Sequence, residues 1–290
     1  MSAHDADSSA GSFDRRPMVL EPTRNLRFLD FEELWRYREL AYFLTWRNVK
    51  VRYKQTAIGV AWAVLQPLAM MAVFTVFFGK FINLQKDVEI PYHLFAYAGV
   101  LPWQLFSRVL SESSNSLVKD QRLISKVYFP RVLVPFASCT AALVDFIIGF
   151  VLLIGLMALS GVYPSWTIIY LPFYLLLMLV AALGIGFWLS ALNTQYRDVG
   201  YVIPFLVQFW MFASPVVYPS SIVPDRYQWL LGLNPMTSVL EGIRWSMFGV
   251  GSAPRATLLI SAVICVAVFV SGIYWFRWHE RTFVDSLGGQ

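Results

Sequence analysis

The chain has 290 residues, of which 57% are hydrophobic and only 14% charged, with a mean hydropathy of +0.56. Soluble domains run at about 45–50% apolar and about 25% charged, so these charges are too few to cover a water-facing surface. With 11 Trp, 14 Tyr and 23 Phe besides, the composition excludes a disordered protein, a disulfide scaffold and an ordinary cytosolic enzyme. It predicts an all-α integral membrane protein with several spans. The net charge of +5 matters less than its placement, since ten of the 23 Lys and Arg lie between Arg15 and Lys54. Cys139 and Cys265 both fall in apolar runs without metal spacing and read as small buried hydrophobes.

Residues 1–28 are polar, lack an apolar core of about 7–15 residues and a small-residue cleavage site, and are expected to form a disordered cytoplasmic tail. Residues 29–55 follow a helical period. Glu32, Arg36, Glu39, Arg47, Lys50 and Lys54 recur at three- and four-residue steps, interrupted by Phe43. Leu34, Trp35, Tyr37, Ala41, Tyr42, Leu44, Trp46, Val49 and Tyr53 lie opposite. Such a basic, aromatic amphipathic helix fits the membrane interface, with a water-facing helix on a cytosolic partner as the alternative. Asp30 with Glu33 makes a capping-box-like start. Arg47, Lys50, Arg52 and Lys54 suit anionic head groups, each surface cation contributing about 1 kcal/mol.

Six stretches approach the roughly 20 apolar residues that a spanning helix needs: 57–79, 92–116, 132–160, 166–192, 199–218 and 256–277. They lie within a transmembrane region 56–278, with a cytoplasmic tail at 279–290. Their prolines are tolerable where neighbours satisfy the freed carbonyls. With both termini cytoplasmic, 17 Lys and Arg fall inside and five outside, as the positive-inside rule requires.

The loop 119–131, with Lys119, Arg122, Lys126 and Arg131, is either a turn carrying inside charges or a docking helix for a cytoplasmic subunit. Residues 219–255 are too apolar for a solvated loop and are broken at Asn234-Pro235, which predicts two short re-entrant helices on the outer side. Charges at membrane depth are functional candidates. Arg108 and Glu112 are spaced to pair along one helix, as are Glu241 and Arg244, whereas Asp145 has no sequence-local partner. Helix-to-helix glue and a cavity lining are both open for these groups; a proton relay is disfavoured, because no second acid or His matches their depth. The sequence has no Walker loop, no H-E-x-x-H, no G-x-S-x-G and no Cys pair, so it is read as non-enzymatic, with no cofactor of its own and no nucleic-acid partner.

The segments RNVKVRYKQTAIGVAWAVLQPL (47–68), GVLPWQLFSR (99–108), NTQYRDV (193–199) and NPMTSVLEGIR (234–244), in this order and on this topology, resemble permease subunits of ABC-2 type exporters for bacterial surface polysaccharides. The likeness runs over about residues 30–285. It implies that 29–55 is an interface helix and 119–131 a coupling helix docked on an ATPase. It also implies that Arg197 and Asp198 brace the connection near that ATPase, that 219–255 closes the outer mouth, and that the short tail after Arg277 carries no further domain.

The resemblance further implies a bacterial inner-membrane protein with two ABC ATPase subunits that bind ATP and Mg. Six helices enclose no conduit wide enough for a sugar chain, so a homodimer is expected around a shared pore, moving a lipid-linked, O-antigen-like polysaccharide. Aromatic faces pack on sugar rings, which nominates Trp62, Phe74, Phe77, Phe78, Trp103, Phe106, Phe209, Trp210 and Phe212, with Arg108, as pore lining; membrane aromatics also serve as core packing and interfacial anchors. Teichoic-acid, capsule and galactan exporters are alternatives within the family. A drug or lipid exporter and a membrane-embedded glycosyl- or acyltransferase are more remote ones, the last needing an acid pair or His-Asp dyad that the sequence lacks.

Overall fold

The computed structural model describes residues 31–54, 60–250 and 255–280. The expected tail 1–28, the cap at Asp30, residues 57–59 of the first span and the chain beyond Glu280 lie outside these residues. The described chain is helical, without a strand. Its elements are α1 (Phe31–Arg36), α2 (Arg38–Lys54), α3 (Val60–Phe74, continued by a π-helical turn Thr75–Phe81), α4 (Tyr92–Lys119) and α5 (Gln121–Ile124). They continue with α6 (Leu133–Ser138), α7 (Thr140–Leu159), α8 (Leu171–Gln195, entered through a 3₁₀ turn Trp166–Tyr170), α9 (Val199–Ala213), α10 (Asp225–Leu233), α11 (Pro235–Phe248) and α12 (Arg255–His279).

Four segments are long and apolar enough to cross a membrane: Ala61–Phe81, Leu133–Leu159, Trp166–Gln195 and Thr257–His279. They coincide with the first, third, fourth and sixth expected spans. The second, α4, has 28 residues and is about 42 Å long, but Arg108, Glu112 and its serine-rich half keep it below the hydropathy of the other four. Protein surrounds it instead of lipid, since it packs against α3, α6, α7, α8, α9 and α11 and is buried almost throughout from Leu94 to Leu110. The fifth is shorter than expected. Its helix ends at Ala213, not Tyr218, because Ser214 is extended ahead of Pro215, as residues before proline are disposed to be. At 15 residues, α9 is about 22 Å long, against a hydrocarbon core of about 30 Å.

Two other expected helices are divided. The interface helix changes at Tyr37 into α1 and α2, kept nearly continuous by the Ala41 N–H donating to Tyr37 O at 3.0 Å. The third span divides at Cys139 into α6 and α7. Ser138 Oγ and Cys139 Sγ both donate back to Pro135 O, competing with the backbone ladder where the helix bends.

α8 and α12 cross at glycines. A Cβ added at Gly184 would lie 2.6 Å from Phe269 Cα, and one at Gly272 would strike the Gly184 carbonyl. Small residues at such a crossing let backbones approach closely, which is how helices gain packing energy in lipid. Gly184→Leu is expected to cost about 1–3 kcal/mol through overpacking and to lower the melting temperature of the detergent-solubilised chain. Gly155→Leu, where an added Cβ meets nothing within 4 Å, should leave that temperature unchanged.

Candidate functional site

The bundle has two chemically distinct ends. Near its C-terminus α4 meets the α8–α9 turn, where Asn193 Nδ2 donates to Ser114 O at 3.2 Å and to Asn115 Oδ1 at 3.0 Å. Near its N-terminus α4 meets the segment after α9, where Gly99 lies against Val216 and Arg244. The first end carries α5 and the Arg197–Asp198 turn, and the second carries α10 and α11.

At the α5 end, charge ties α2 to the bundle. Arg47 forms an ion pair of 2.6 Å with Asp120, the residue between α4 and α5. Asn48 Nδ2 donates to Ala137 O at 3.2 Å. Farther along, Arg52 pairs with Asp145 Oδ2 at 2.5 Å and the Tyr53 hydroxyl donates to Asp145 Oδ1 at 2.5 Å. Arg108 closes on the same carboxylate and also donates to Gln66 Oε1 at 2.7 Å.

Asp145 is therefore not isolated. It is the buried acceptor where α2, α4 and α7 join, a pairing across 37 to 93 sequence positions that local spacing cannot reveal. Arg108 correspondingly does not pair with Glu112, which takes Lys119 at 3.3 Å. Of the four cations expected to face head groups, Arg47 and Arg52 are half-buried in ion pairs, while Lys50 and Lys54 are exposed.

The expected coupling residues surround α5. Arg122 and Lys126 are exposed beside the exposed Val127 and Tyr128, over a cleft of about 290 Å³ lined by Ile124, Ser125 and Phe129. Arg131 instead binds the end of α12, its guanidinium donating to the Glu280 carbonyl and its N–H to Glu280 Oε1 at 3.2 Å. Arg197 and Asp198 stand exposed in the turn between α8 and α9. Ser113, Ser114 and Ser116 return their hydroxyls to carbonyls of their own helix, and Gly186 of α8 fits against Ser113.

The expected pore aromatics divide into two groups. Trp62, Phe77, Phe209 and Phe212 stand on exposed faces of α3, its π-helical extension and α9, Phe209 being 66% exposed. Phe74, Trp103 and Phe106 are buried and do not line a surface in this conformation. Phe106 is 0% exposed and stacks edge-to-face on the half-buried Trp210 at 5.2 Å. Phe78 is half-buried against Phe74 at 5.8 Å.

The other end depends on Arg244. Residues 214–217 are buried yet not helical, and backbone at that depth needs internal donors. Arg244 Nη1 and Nη2 donate to Pro215 O at 2.8 Å and Val216 O at 2.5 Å, and the Tyr92 hydroxyl donates to Val217 O at 2.5 Å. The guanidinium also lies 3.9 Å from the Phe95 ring centroid. The expected pairing of Arg244 with Glu241 is replaced by these carbonyl contacts. The two short helices expected in 219–255 are present as α10 and α11, with Asn234 capping α11 through the Met236 N–H at 3.1 Å ahead of Pro235.

Apolar helices of spanning length around a buried polar helix define an all-helical integral membrane protein. Within that class the chain belongs to the ABC-2 type transporter family, whose model matches residues 39–248. It is 27% identical over 257 residues to the O-antigen export system permease protein RfbA of Myxococcus xanthus, covering 88% of this chain and 98% of the relative. It is 25% identical over 251 residues to a protein of the same name from Klebsiella pneumoniae, covering 86% and 95%. The polysialic acid transport protein KpsM of Escherichia coli is 21% identical over 242 residues, covering 83% and 93%.

Arg47 and Asp120 offer a direct test of the α2 attachment. Arg47→Asp and Asp120→Arg are each expected to lower stability by about 1–3 kcal/mol, and the double charge swap should recover most of it in a thermal-melt double-mutant cycle. Arg244→Met should leave the Pro215 and Val216 carbonyls without their donor at about 1–3 kcal/mol each, read as faster amide hydrogen exchange confined to 214–218.

Proposed function

We propose that this chain is the membrane-embedded permease of an ATP-driven exporter that moves a lipid-linked surface polysaccharide of O-antigen type out of the bacterial cytoplasm. The observation that carries the reading is the near end-to-end similarity to permeases of O-antigen export, across α2 to α11. The similarity to a polysialic acid transporter supports a capsule-type glycan as the second reading within the same class.

In this reading six helices cross the inner membrane with both termini cytoplasmic, α4 and α9 being the polar and the short span. The basic α5 end then faces the cytoplasm, in keeping with the charge asymmetry of the loops. The uncovered aromatic faces of α3 and α9 suit a homodimer enclosing a shared pore, where Trp62, Phe77, Phe209 and Phe212 offer faces along which sugar rings slide. Lys50 and Lys54 are free to attract the anionic lipid carrier at the entrance.

Energy comes from a separate pair of ABC ATPase subunits, which hold ATP and Mg and dock on α5 and its exposed flank. A push on α5 reaches α2 through the Arg47–Asp120 ion pair and α12 through the Arg131–Glu280 contact. Closure of the ATPases thereby biases a two-state bundle toward an open pore.

Gentle purification of the tagged chain from native membranes, followed by mass spectrometry, is expected to recover an ABC ATPase and an isoprenoid-linked glycan. Recovery of the ATPase with only phospholipid would redirect the reading to a lipid exporter, and a chain free of any ATPase would end the transporter reading. The Arg197→Ala, Asp198→Ala double variant is expected to insert normally yet lose surface glycan; normal glycan on immunoblots would remove that turn from the coupling surface.

A further inference from the structure

At the end of the bundle opposite α5, a polar cleft of about 220 Å³ opens between α10, α11 and the start of α12. Its lining includes Gln228, Thr237, Ser238, Glu241 and Thr257. Thr237 and Ser238 are 5% and 1% exposed, and neither hydroxyl has a hydrogen-bond partner among the described residues. Other buried hydroxyls find acceptors, as Ser246 does on the Ile243 carbonyl and Thr167 on the Ser246 carbonyl, whereas those of Thr75, Ser190 and Ser261 find none among the described residues; Thr237 and Ser238 differ in being neighbours on the lining of one cleft. A buried hydroxyl without a partner loses its water and gains nothing, so two of them lining one cleft mark a place where a ligand supplies the missing atoms.

The chemistry of the lining narrows the ligand. Hydroxyls and an amide both donate and accept, and a single carboxylate accepts, which matches the adjacent hydroxyls of a sugar ring. Glu241 repels phosphates and uronates. The volume equals roughly seven waters at about 30 Å³ each, below the ~300–1,000 Å³ of drug-sized pockets, which suits one ring. Leu231 separates this cleft from a wider, mostly apolar one of about 610 Å³, lined by Trp210, Tyr218 and Tyr227.

We infer that the cleft between α10, α11 and α12 is a binding site for a single neutral or N-acetylated sugar ring, held by Glu241, Thr237 and Ser238. The assignment of that ring to the glycan leaving the pore rests on the exporter reading; the site itself is read from its lining. Gly232 borders the cleft, and a Cβ added there meets nothing within 4 Å, which makes it the position at which to introduce a large side chain against the cleft.

Saturation-transfer NMR on the full chain in lipid nanodiscs, with methyl glycosides of a neutral hexose, an N-acetylhexosamine and a hexuronic acid as probes, tests the site. Transfer is expected to at least one of the first two and not to the uronate. Gly232→Phe should abolish it, and Glu241→Gln should weaken binding about tenfold, as loss of a charge-assisted hydrogen bond does. The Thr237→Val, Ser238→Ala variant, which keeps the side-chain volumes, should also lose transfer at unchanged helicity and elution volume.

Absence of transfer from every glycoside, or transfer that survives both Gly232→Phe and the hydroxyl deletions, overturns the site. Complementation of surface glycan in a deletion strain keeps the two ideas apart. Glycan restored by a chain that binds no glycoside sinks the site alone, and glycoside binding by a chain that restores no glycan sinks the exporter reading alone.

Discussion

A carboxylate inside an apolar helix has to find positive charge and hydrogen-bond donors within the protein, because lipid offers neither. Asp145 meets that requirement with Arg52, Tyr53 and Arg108, drawn from α2 and α4. Breaking such a cluster from one side leaves an uncompensated charge, which makes it more a constraint on arrangement than a source of net stability. Its consequence is that α2 cannot sit anywhere on the membrane surface. It is held against α6 and α7 at one register, and from there Arg47 reaches Asp120.

The same requirement explains why α4 is polar and central. A helix bearing Arg108, Glu112, five serines and Asn115 would be costly facing lipid, but α4 is enclosed by other helices and returns the hydroxyls of Ser113, Ser114 and Ser116 to its own carbonyls. The small serines then let α8 approach at Gly186. Polarity and close packing are two results of one choice of residues. At the opposite end the irregular segment 214–217 is possible for the same reason, with Arg244 and Tyr92 serving as its donors.

The two ends thus differ in kind. Around α5, cations and exposed apolar residues stand on short, exposed elements, tied to α2 by the Arg47–Asp120 ion pair and to the end of α12 by Arg131. Around α10 and α11, buried donors hold nonhelical backbone closed while unpartnered hydroxyls line a small cleft. Between them, α9 buries only Ile203 and Val207, sets Trp210 half-buried against Phe106, and leaves Tyr201, Phe205, Phe209 and Phe212 exposed.

Hydropathy, helical period and turn residues were enough to read the all-helical membrane class, the helical character of the segment before the first span, four segments of spanning length and the two short helices around Asn234-Pro235. These follow from local physics, since the length of an apolar run and the φ preference of proline act on neighbouring residues alone. The early end of α9 carried a signal, the Ser214-Pro215 step, that an apolar run through Tyr218 obscured. Which charges meet was decided only in three dimensions: Asp145 chose Arg52 and Arg108, Arg47 chose Asp120, and Arg244 chose carbonyls over Glu241. So was the division of the aromatics, where Phe106 and Trp103 are core while Phe209 and Trp62 are surface, although all are equally apolar in sequence. Sequence determines how strongly a group must avoid or seek lipid, and only the packing of helices determines which partner stands within reach.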